Sequence, residues 1–301
     1  MVKLKTLTTE QRNIHSKNID NLSTSEILHV INNEDVQVAQ SVKKVLPNIE
    51  QAIDKICDAM SKGGKLFYIG AGTSGRIGIL DAVECPPTFS TPPDLVQAII
   101  AGGLDAFMTA TEGAEDDEAR GANDLEEREL TSLDVVVGIA ASGRTPYVLG
   151  ALQFAREIGA TTVSVSSNEQ SLIGQNADIT IDVDTGPEVL TGSTRMKAAT
   201  AQKLILNMIT TTTMIKIGKV YENLMVDVKV SNYKLKERAK SIISTITSVS
   251  SDRAEEILEE ANLEVKPAIV MIKAKVNYEK AKQLIEESNG FVRKAIELAN
   301  S

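Results

Sequence analysis

Through the middle of the chain, short runs of β-branched and apolar residues alternate with longer stretches whose apolar positions recur every three to four residues. The first kind predicts buried strands, and the second predicts helices that cover them. Five runs qualify as strands: LFYI at 66–69, LVQAII at 95–100, DVVVGIA at 134–140, TTVSVS at 161–166 and ITIDV at 179–183. Helical segments fall at 77–83, around 116–130, at 146–158 and in a short piece after Ser167. A long helix at 194–217 follows the last strand until Gly218 stops it. Strands separated by helical crossovers form a parallel sheet covered on both faces, so the pattern predicts an α/β fold around five parallel strands.

The flanks read differently. Residues up to about Glu34 are polar, apart from one helix announced by Ser23 and Glu26, the two ends of a capping box, with Ile27, Leu28, Val30 and Ile31 behind them. From Val36 a longer helical pattern runs through Val45, Ile49, Ile53, Ile56 and Met60 to Gly63-Gly64, and its apolar stripe is a candidate partner surface. Beyond Tyr221 strand-like runs become scarce, and short helices are expected at 252–261, 267–274, 278–287 and 292–299. The expected organisation is an N-terminal helical arm (1–55), a sheet domain (56–220) and a helical C-terminal module (221–301).

Charge and composition narrow the partners. Across 301 residues, 32 Lys and Arg face 41 Asp and Glu, a formal net charge of -9. That balance lacks the footprint of a phosphate-backbone or anionic-membrane binder, so neither nucleic acid nor a membrane is an expected partner. Aromatics make up 3% with no Trp, which removes stacking platforms and leaves hydrogen bonds to read a ligand. Two cysteines build no disulfide framework, the first residues hold no signal-peptide run, and no stretch reaches the roughly 18 apolar residues of a membrane span. A reducing, cytoplasmic setting is expected. His15 and His29 form no metal-ligand spacing, so no metal is implied, and no cofactor is expected either.

Candidate chemistry begins directly after the first strand. Gly70-Ala71-Gly72-Thr73-Ser74-Gly75 satisfies G-x-G-x-x-G, but the second strand ends in Ala101-Gly102-Gly103, without the acidic residue that grips a dinucleotide ribose, and no Walker A sequence occurs. What remains is a glycine loop whose amides and Thr73/Ser74 hydroxyls suit an anion. By itself it reads equally well as a capped turn. The third strand, however, also runs into a hydroxyl-rich loop, Ser142-Gly143-Arg144-Thr145-Pro146, and carboxyl ends of parallel strands face one crevice. A third polar segment, Thr191-Gly192-Ser193-Thr194-Arg195-Met196-Lys197, follows the last strand and is expected to add a basic wall, with Ser193 among its hydroxyls. Together the loops favour a phosphate ester, and their neutral donors suit a small sugar phosphate that must enter and leave. Glu84 stands just before Pro86 and Pro87, which are expected to end its helix and leave it projecting. Glu115 lies in the run Glu112–Glu118, which on its own reads as a solvated helix start. Cys85, with no histidine near it, reads as a small filler.

Four segments, FYIGAGTSGRIGILDAVECPPTF, IAGGLDAFMTATEGAEDD, DVVVGIAASGRTPYV and EVLTGSTRMKAATAQKLILNM, closely resemble the N-acetylmuramic acid 6-phosphate etherase family. INNED near the start, NLMVDV at 223–228 and GFVRKA near the end extend that resemblance along nearly the whole chain. The resemblance implies a sugar isomerase (SIS) fold, a homodimer, a UBA-like C-terminal module, and conversion of N-acetylmuramate 6-phosphate and water to N-acetylglucosamine 6-phosphate and D-lactate. It also implies Glu84 as general acid and Glu115 as general base. Gly72, Thr73, Ser74, Ser142, Gly143, Arg144, Thr145 and Ser193 are the expected substrate contacts. Two other functions fit the same fold: a phosphosugar isomerase, which needs no acid at C3, and a regulatory sugar-phosphate sensor, whose known form carries two such domains where this chain has room for one. A dehydrogenase is a more distant reading.

Overall fold

A computed structural model describes residues 7–109, 111–228, 230 and 232–300. The chain divides into two compact units. One comprises the residues up to Val83 with Asp94–Thr210, and the other Glu84–Pro93 with the residues from Thr211 onward.

The first unit opens with three short 3-10 turns and then α1 (Thr24–Asp35), α2 (Val38–Lys44) and α3 (Leu46–Ser61). The expected capping box is present: the Glu26 amide donates to Ser23 Oγ and the Ser23 amide to the Glu26 carboxylate. Next come β1 (Leu66–Gly70), α4 (Gly72–Phe89), β2 (Val96–Ile100), α5 (Asp105–Met108), a 3-10 turn at Ala114–Asp116, and α6 (Glu118–Glu126). β3 (Val135–Ile139), α7 (Pro146–Ile158), β4 (Thr161–Ser166), α8 (Leu172–Gln175), β5 (Ile179–Asp182) and α9 (Lys197–Lys216) complete the series, the residues of α4 from Glu84 and of α9 from Thr211 being counted with the second unit. All five strands pair in parallel, in the order β2-β1-β3-β4-β5. Each strand lies within a residue or two of its expected position.

Side chains alternate across the sheet as the pleat requires. Phe67, Ile69 and Val136 join Tyr147, Val148, Ala151 and Leu152 of α7 and Leu125 of α6 in one core cluster. On the opposite face Gly78 of α4 packs on Tyr68 and Ile139, where a Cβ would come within 3.1 Å of the Tyr68 side chain. Asp81 is buried there, accepting from Tyr68 Oη (3.1 Å), Asn207 Nδ2 (2.6 Å) and Thr210 Oγ1 (3.2 Å). Burial pushes its carboxyl above the usual range despite those three donors.

Three expectations need correction. The apolar stripe of α3 is not a partner surface: Ile49, Ile53 and Ile56 are buried as the helix packs on β3 and β5, and Asn48 Nδ2 donates to the Thr180 carbonyl at 2.8 Å. Nor do Pro86 and Pro87 end α4 at Glu84; the helix continues to Phe89 and the Ser90 amide bonds back to the Pro86 carbonyl at 3.0 Å. Proline φ is helical, so near a helix end its cost is two missing backbone bonds rather than a forced stop. Finally, α4 begins at Gly72 rather than 77, so most of the glycine loop is the helix's first turn.

In the second unit a two-strand antiparallel hairpin, β6 (Val220–Tyr221) and β7 (Leu224–Met225), turns at Glu222, whose φ is +56°. Then follow α10 (Tyr233–Thr247), α11 (Ser251–Glu260), α12 (Val265–Ala274), α13 (Tyr278–Glu287) and α14 (Val292–Ala299). The last four match expectation closely, whereas α10 and the hairpin were not expected. α12 is apolar nearly all round and forms the centre of the unit's core, with Ile269 and Val270 packed among Ile243, Leu258, Leu284 and Ala295. Lys266, buried on α12, pairs with Asp227 at 2.7 Å, and Lys219 reaches the same carboxylate at 3.1 Å.

The crossing of α6 and α7 gives the first test. Gly121 lies so close that an added Cβ would overlap the Tyr147 carbonyl oxygen, and Gly150 meets the Glu118 carbonyl in the same way. Gly121→Ala should therefore lower stability by about 1–3 kcal/mol, the usual cost of overpacking. Denaturant unfolding measures it; an unchanged midpoint would show that the helices separate freely.

Candidate functional site

The strand order 2-1-3-4-5 places the topological switch between β1 and β3, where ligands of open parallel sheets bind. Gly70 and Ile139 pair level, so the two following segments leave the sheet side by side. After β1 the chain must turn into α4 at once. Gly72 adopts φ +52°, and Gly70 and Gly75 approach so closely that a Cβ on Gly75 would lie 2.7 Å from the Gly70 carbonyl oxygen. The Gly75 amide bonds the Ala71 carbonyl at 3.2 Å, so Gly72, Thr73 and Ser74 occupy the first turn, whose amides have no intrahelical acceptor. Arg76 points elsewhere: its guanidinium donates to the Phe107 carbonyl (2.9 Å) and the Ala106 carbonyl (2.7 Å), tying down the segment after β2.

After β3, Gly143 takes φ +71° and donates to the Ala140 carbonyl at 2.9 Å. Its missing side chain matters, because a Cβ would lie 2.4 Å from that of Ser171. Ser142 Oγ accepts from the Arg144 amide at 3.3 Å, Pro146 occupies the first turn of α7, and Thr145 precedes it as the cap residue. Ser142, Arg144 and Thr145 are half-buried. Behind the loop, Asp182 accepts from Ser166 Oγ (2.6 Å), Ser171 Oγ (2.8 Å) and the Ser171 amide (3.1 Å), and the Ile173 amide bonds the Gly143 carbonyl at 3.0 Å.

The third wall follows β5. Gly192 has φ +77°, and the Ser193 amide closes a turn on the Leu190 carbonyl at 2.9 Å. Glu188 is fully buried and caps α9: its two carboxylate oxygens accept from the Lys197 and Ala198 amides, each at 2.9 Å. Burial raises its proton affinity, opposed by those two backbone bonds. Lys197 is 2% exposed and its Nζ pairs with Glu34 Oε2 at 2.6 Å, while His15 Nδ1 meets Glu34 Oε1 at 2.8 Å. Burial pushes the Glu34 carboxyl up, but hydrogen bonds from Lys197, His15 and Asn13 together hold it below its ordinary value. Asn13 Nδ2 also donates to the Pro187 carbonyl (3.0 Å) and Ser16 Oγ to the Val189 carbonyl (2.7 Å), so the N-terminal segment lies along this loop. Lys197 therefore adds no charge to the basic wall expected of this segment, because it is buried against Glu34, a partner 163 residues away that leaves no local signal in the sequence.

The expected carboxylates occupy different surroundings. Glu115 is exposed on the 3-10 turn Ala114–Asp116, which follows Gly113 (φ +77°) and packs on α7, the helix that starts at the Ser142 loop. Glu84 is exposed on α4, at the point where that helix passes into the second unit, and Cys85 beside it is buried. Among the described residues no cluster of His, Cys, Asp or Glu has the geometry to hold a metal, and no helix is long and apolar enough to cross a membrane.

A doubly covered parallel sheet with two helix-capped polar loops at its switch point defines the class of SIS-domain proteins, and the chain matches that family over residues 118–212. The glucokinase regulatory protein N-terminal SIS domain family matches residues 48–156, and the C-terminal lid domain of the same regulatory protein matches 222–267. A phosphoheptose isomerase from Neisseria gonorrhoeae shares the fold, with a TM-score of 0.51 at 17% identity over 64% of this chain and 98% of that one. Full-length relatives are far closer. The N-acetylmuramic acid 6-phosphate etherase of Bacillus subtilis (strain 168) is 56% identical over 97% of this chain and 96% of its own length. That of Geobacillus thermodenitrificans (strain NG80-2) is 55% identical over 98% and 100%. The chain belongs to the N-acetylmuramic acid 6-phosphate etherase family.

The buried pair gives a stability test. Lys197→Met leaves the half-buried Glu34 without its main partner and should cost about 1–3 kcal/mol, the range for leaving one buried polar group unsatisfied. Adding Glu34→Gln should then cost little more, and fully additive losses in a double-mutant cycle would show that the two groups are not coupled.

Proposed function

We propose that this chain is a carbon–oxygen lyase that cleaves the D-lactyl ether of N-acetylmuramate 6-phosphate, giving N-acetylglucosamine 6-phosphate and D-lactate. The observation that carries the reading is identity above 50% along essentially the full length of etherases, and the roles given below to phosphate-binding and proton-transfer residues follow from the motifs that resemble that family. The orphan amides of Gly72, Thr73 and Ser74, the Gly143 backbone, the Ser142, Thr145 and Ser193 hydroxyls and the Arg144 guanidinium hold the 6-phosphate. Helix amino ends and mostly neutral donors, with one guanidinium, favour an anion without trapping it.

With the sugar open, the C2 proton is α to the aldehyde. Glu115 takes that proton, and the C–H electron pair moves into an enolate. Collapse of the enolate breaks the C3–O bond, and Glu84 gives its proton to the departing lactyl oxygen. Water then adds to the unsaturated aldehyde, its oxygen bonding C3 and a proton returning to C2, which balances the products. Two carboxyl groups starting in opposite protonation states divide the work of acid and base.

Three measurements test this. Purified enzyme should release D-lactate from N-acetylmuramate 6-phosphate; an isomerase would exchange the C2 proton without lactate. Glu84→Gln should still exchange the C2 proton of N-acetylglucosamine 6-phosphate with solvent yet fail to expel lactate, whereas Glu115→Gln should lose both. Each loss is expected to be about 10²–10⁴-fold. The reverse pattern exchanges the two roles, and full lactate release by either variant removes that residue from the mechanism.

The working form on this reading is a homodimer in the reducing interior of the cell. Leu80 and Val83 of α4 and Leu104 and Met108 after β2 are large apolar side chains left exposed in the single chain, as an assembly surface requires. Light scattering should give twice 32.4 kDa; a monomeric mass with full activity at high dilution would exclude the dimer.

A further inference from the structure

Among the described residues no hydrogen bond joins the loops after β3 and β5 directly, yet both are fastened to one buried junction. Asn168, in the loop after β4, is 2% exposed and uses its whole amide. Its Nδ2 donates to the Ala141 carbonyl (3.0 Å), immediately before Ser142, and to Thr9 Oγ1 (3.2 Å), while its Oδ1 faces the Thr9 amide at 3.5 Å. Thr9 is 1% exposed, and its carbonyl accepts from the Gly192 amide at 3.2 Å, immediately before Ser193. A continuous path therefore runs from the residue before Ser142, through Asn168 and Thr9, to the residue before Ser193. Asn168 is itself fixed from behind by Ser166, whose hydroxyl donates to Asp182 at 2.6 Å and lies 2.9 Å from the Asn168 carbonyl.

We propose that Asn168, acting with Thr9, is a positioning residue that holds the Ser142 and Ser193 loops at a fixed separation so that both reach the same sugar phosphate. The inference rests on the reading of those loops as the phosphate cradle. Asparagine suits the position because it supplies two donors and one acceptor in one plane; aspartate would supply neither donor and leucine nothing. The N-terminal segment is then part of the binding site without touching the ligand: it closes the path that neither loop closes alone.

Because a cradle held at the wrong width weakens ground state and transition state alike, the effect belongs in KM rather than kcat. Thr9→Val keeps the shape and removes the Oγ1 acceptor, and Thr9→Ser keeps the acceptor. Thr9→Val and Asn168→Leu should each raise KM for N-acetylmuramate 6-phosphate about 3- to 10-fold, the factor of roughly one hydrogen bond, with kcat changed less than about 2-fold. Thr9→Ser should restore the wild-type KM. Ser142→Ala should raise KM in the wild-type background but add less in the Asn168→Leu background, since a displaced loop has already lost part of that contact. If folded Thr9→Val and Asn168→Leu keep the wild-type KM while Ser142→Ala raises it, the positioning role is overturned and the cradle stands. If Ser142→Ala itself leaves KM unchanged, the reading of the Ser142 loop as the cradle fails, and the positioning role fails with it.

Discussion

Level pairing of β1 with β3 is the constraint on which the site depends. Because Gly70 and Ile139 are opposite each other in a parallel ladder, the chain leaves both strands at the same height, about 4.8 Å apart, and must turn into α4 and α7 over the same edge. Two helix amino ends in so small a space leave no room for side chains where the turns touch the sheet. That requirement, not anion binding as such, explains Gly70 and Gly75, which nearly touch, while Gly143 gives way to Ser171 in the loop after β4. The donors at the mouth are what remains when every inward position has been given up to packing.

A sheet edge of this kind supplies amides, but it does not fix the longer loops beyond β4 and β5. Those are held by buried polar groups brought from far along the chain. Glu188 closes the first turn of α9, Lys197 reaches Glu34 at the end of α1, and Asp182 gathers the hydroxyls of Ser166 and Ser171. Each such group loses hydration on burial and is tolerable only because its partners are in place. Half-formed, the network would be worse than an apolar filling, which makes it specific as well as stabilising. Residues 9–16, polar and irregular in sequence, thus act as a strap along the loops through Thr9, Asn13 and Ser16.

The sheet was legible because its signal is local: β-branched runs such as VVVGI and TTVSVS bury on both faces and need no distant partner to announce themselves. The prolines after Glu84 misled because their rule concerns helix interiors, and here they fall in the last turns of α4. α10 carries a readable helical stripe at Leu235, Ala239, Ile242, Ile243 and Ile246, but Ile, Thr and Ser in its second half weaken helix propensity and blur it. The cradle residues could be nominated from loop composition and from family motifs. The junction of Asn168 with Thr9 and the pairing of Lys197 with Glu34 could not, since these partners lie 159 and 163 residues apart and only the folded chain brings them together.

The same scaffold serves different reactions, and the division of labour explains how. A phosphoheptose isomerase at 17% identity shares this fold, so the fold by itself does not specify a reaction. On the reading above, the amides and hydroxyls at the switch point answer to the phosphate, which isomerase and lyase substrates have in common. What distinguishes the lyase is the need to protonate a leaving oxygen at C3, a demand that an isomerase never meets. Glu84 stands outside the glycine turn that precedes it, three helical turns further along α4 and ahead of two prolines, on a part of the helix that the packing of that turn does not constrain. A carboxyl group there can be gained or lost without disturbing the packing of Gly70 on Gly75, which is the condition for a new chemistry to be added to an existing binding site.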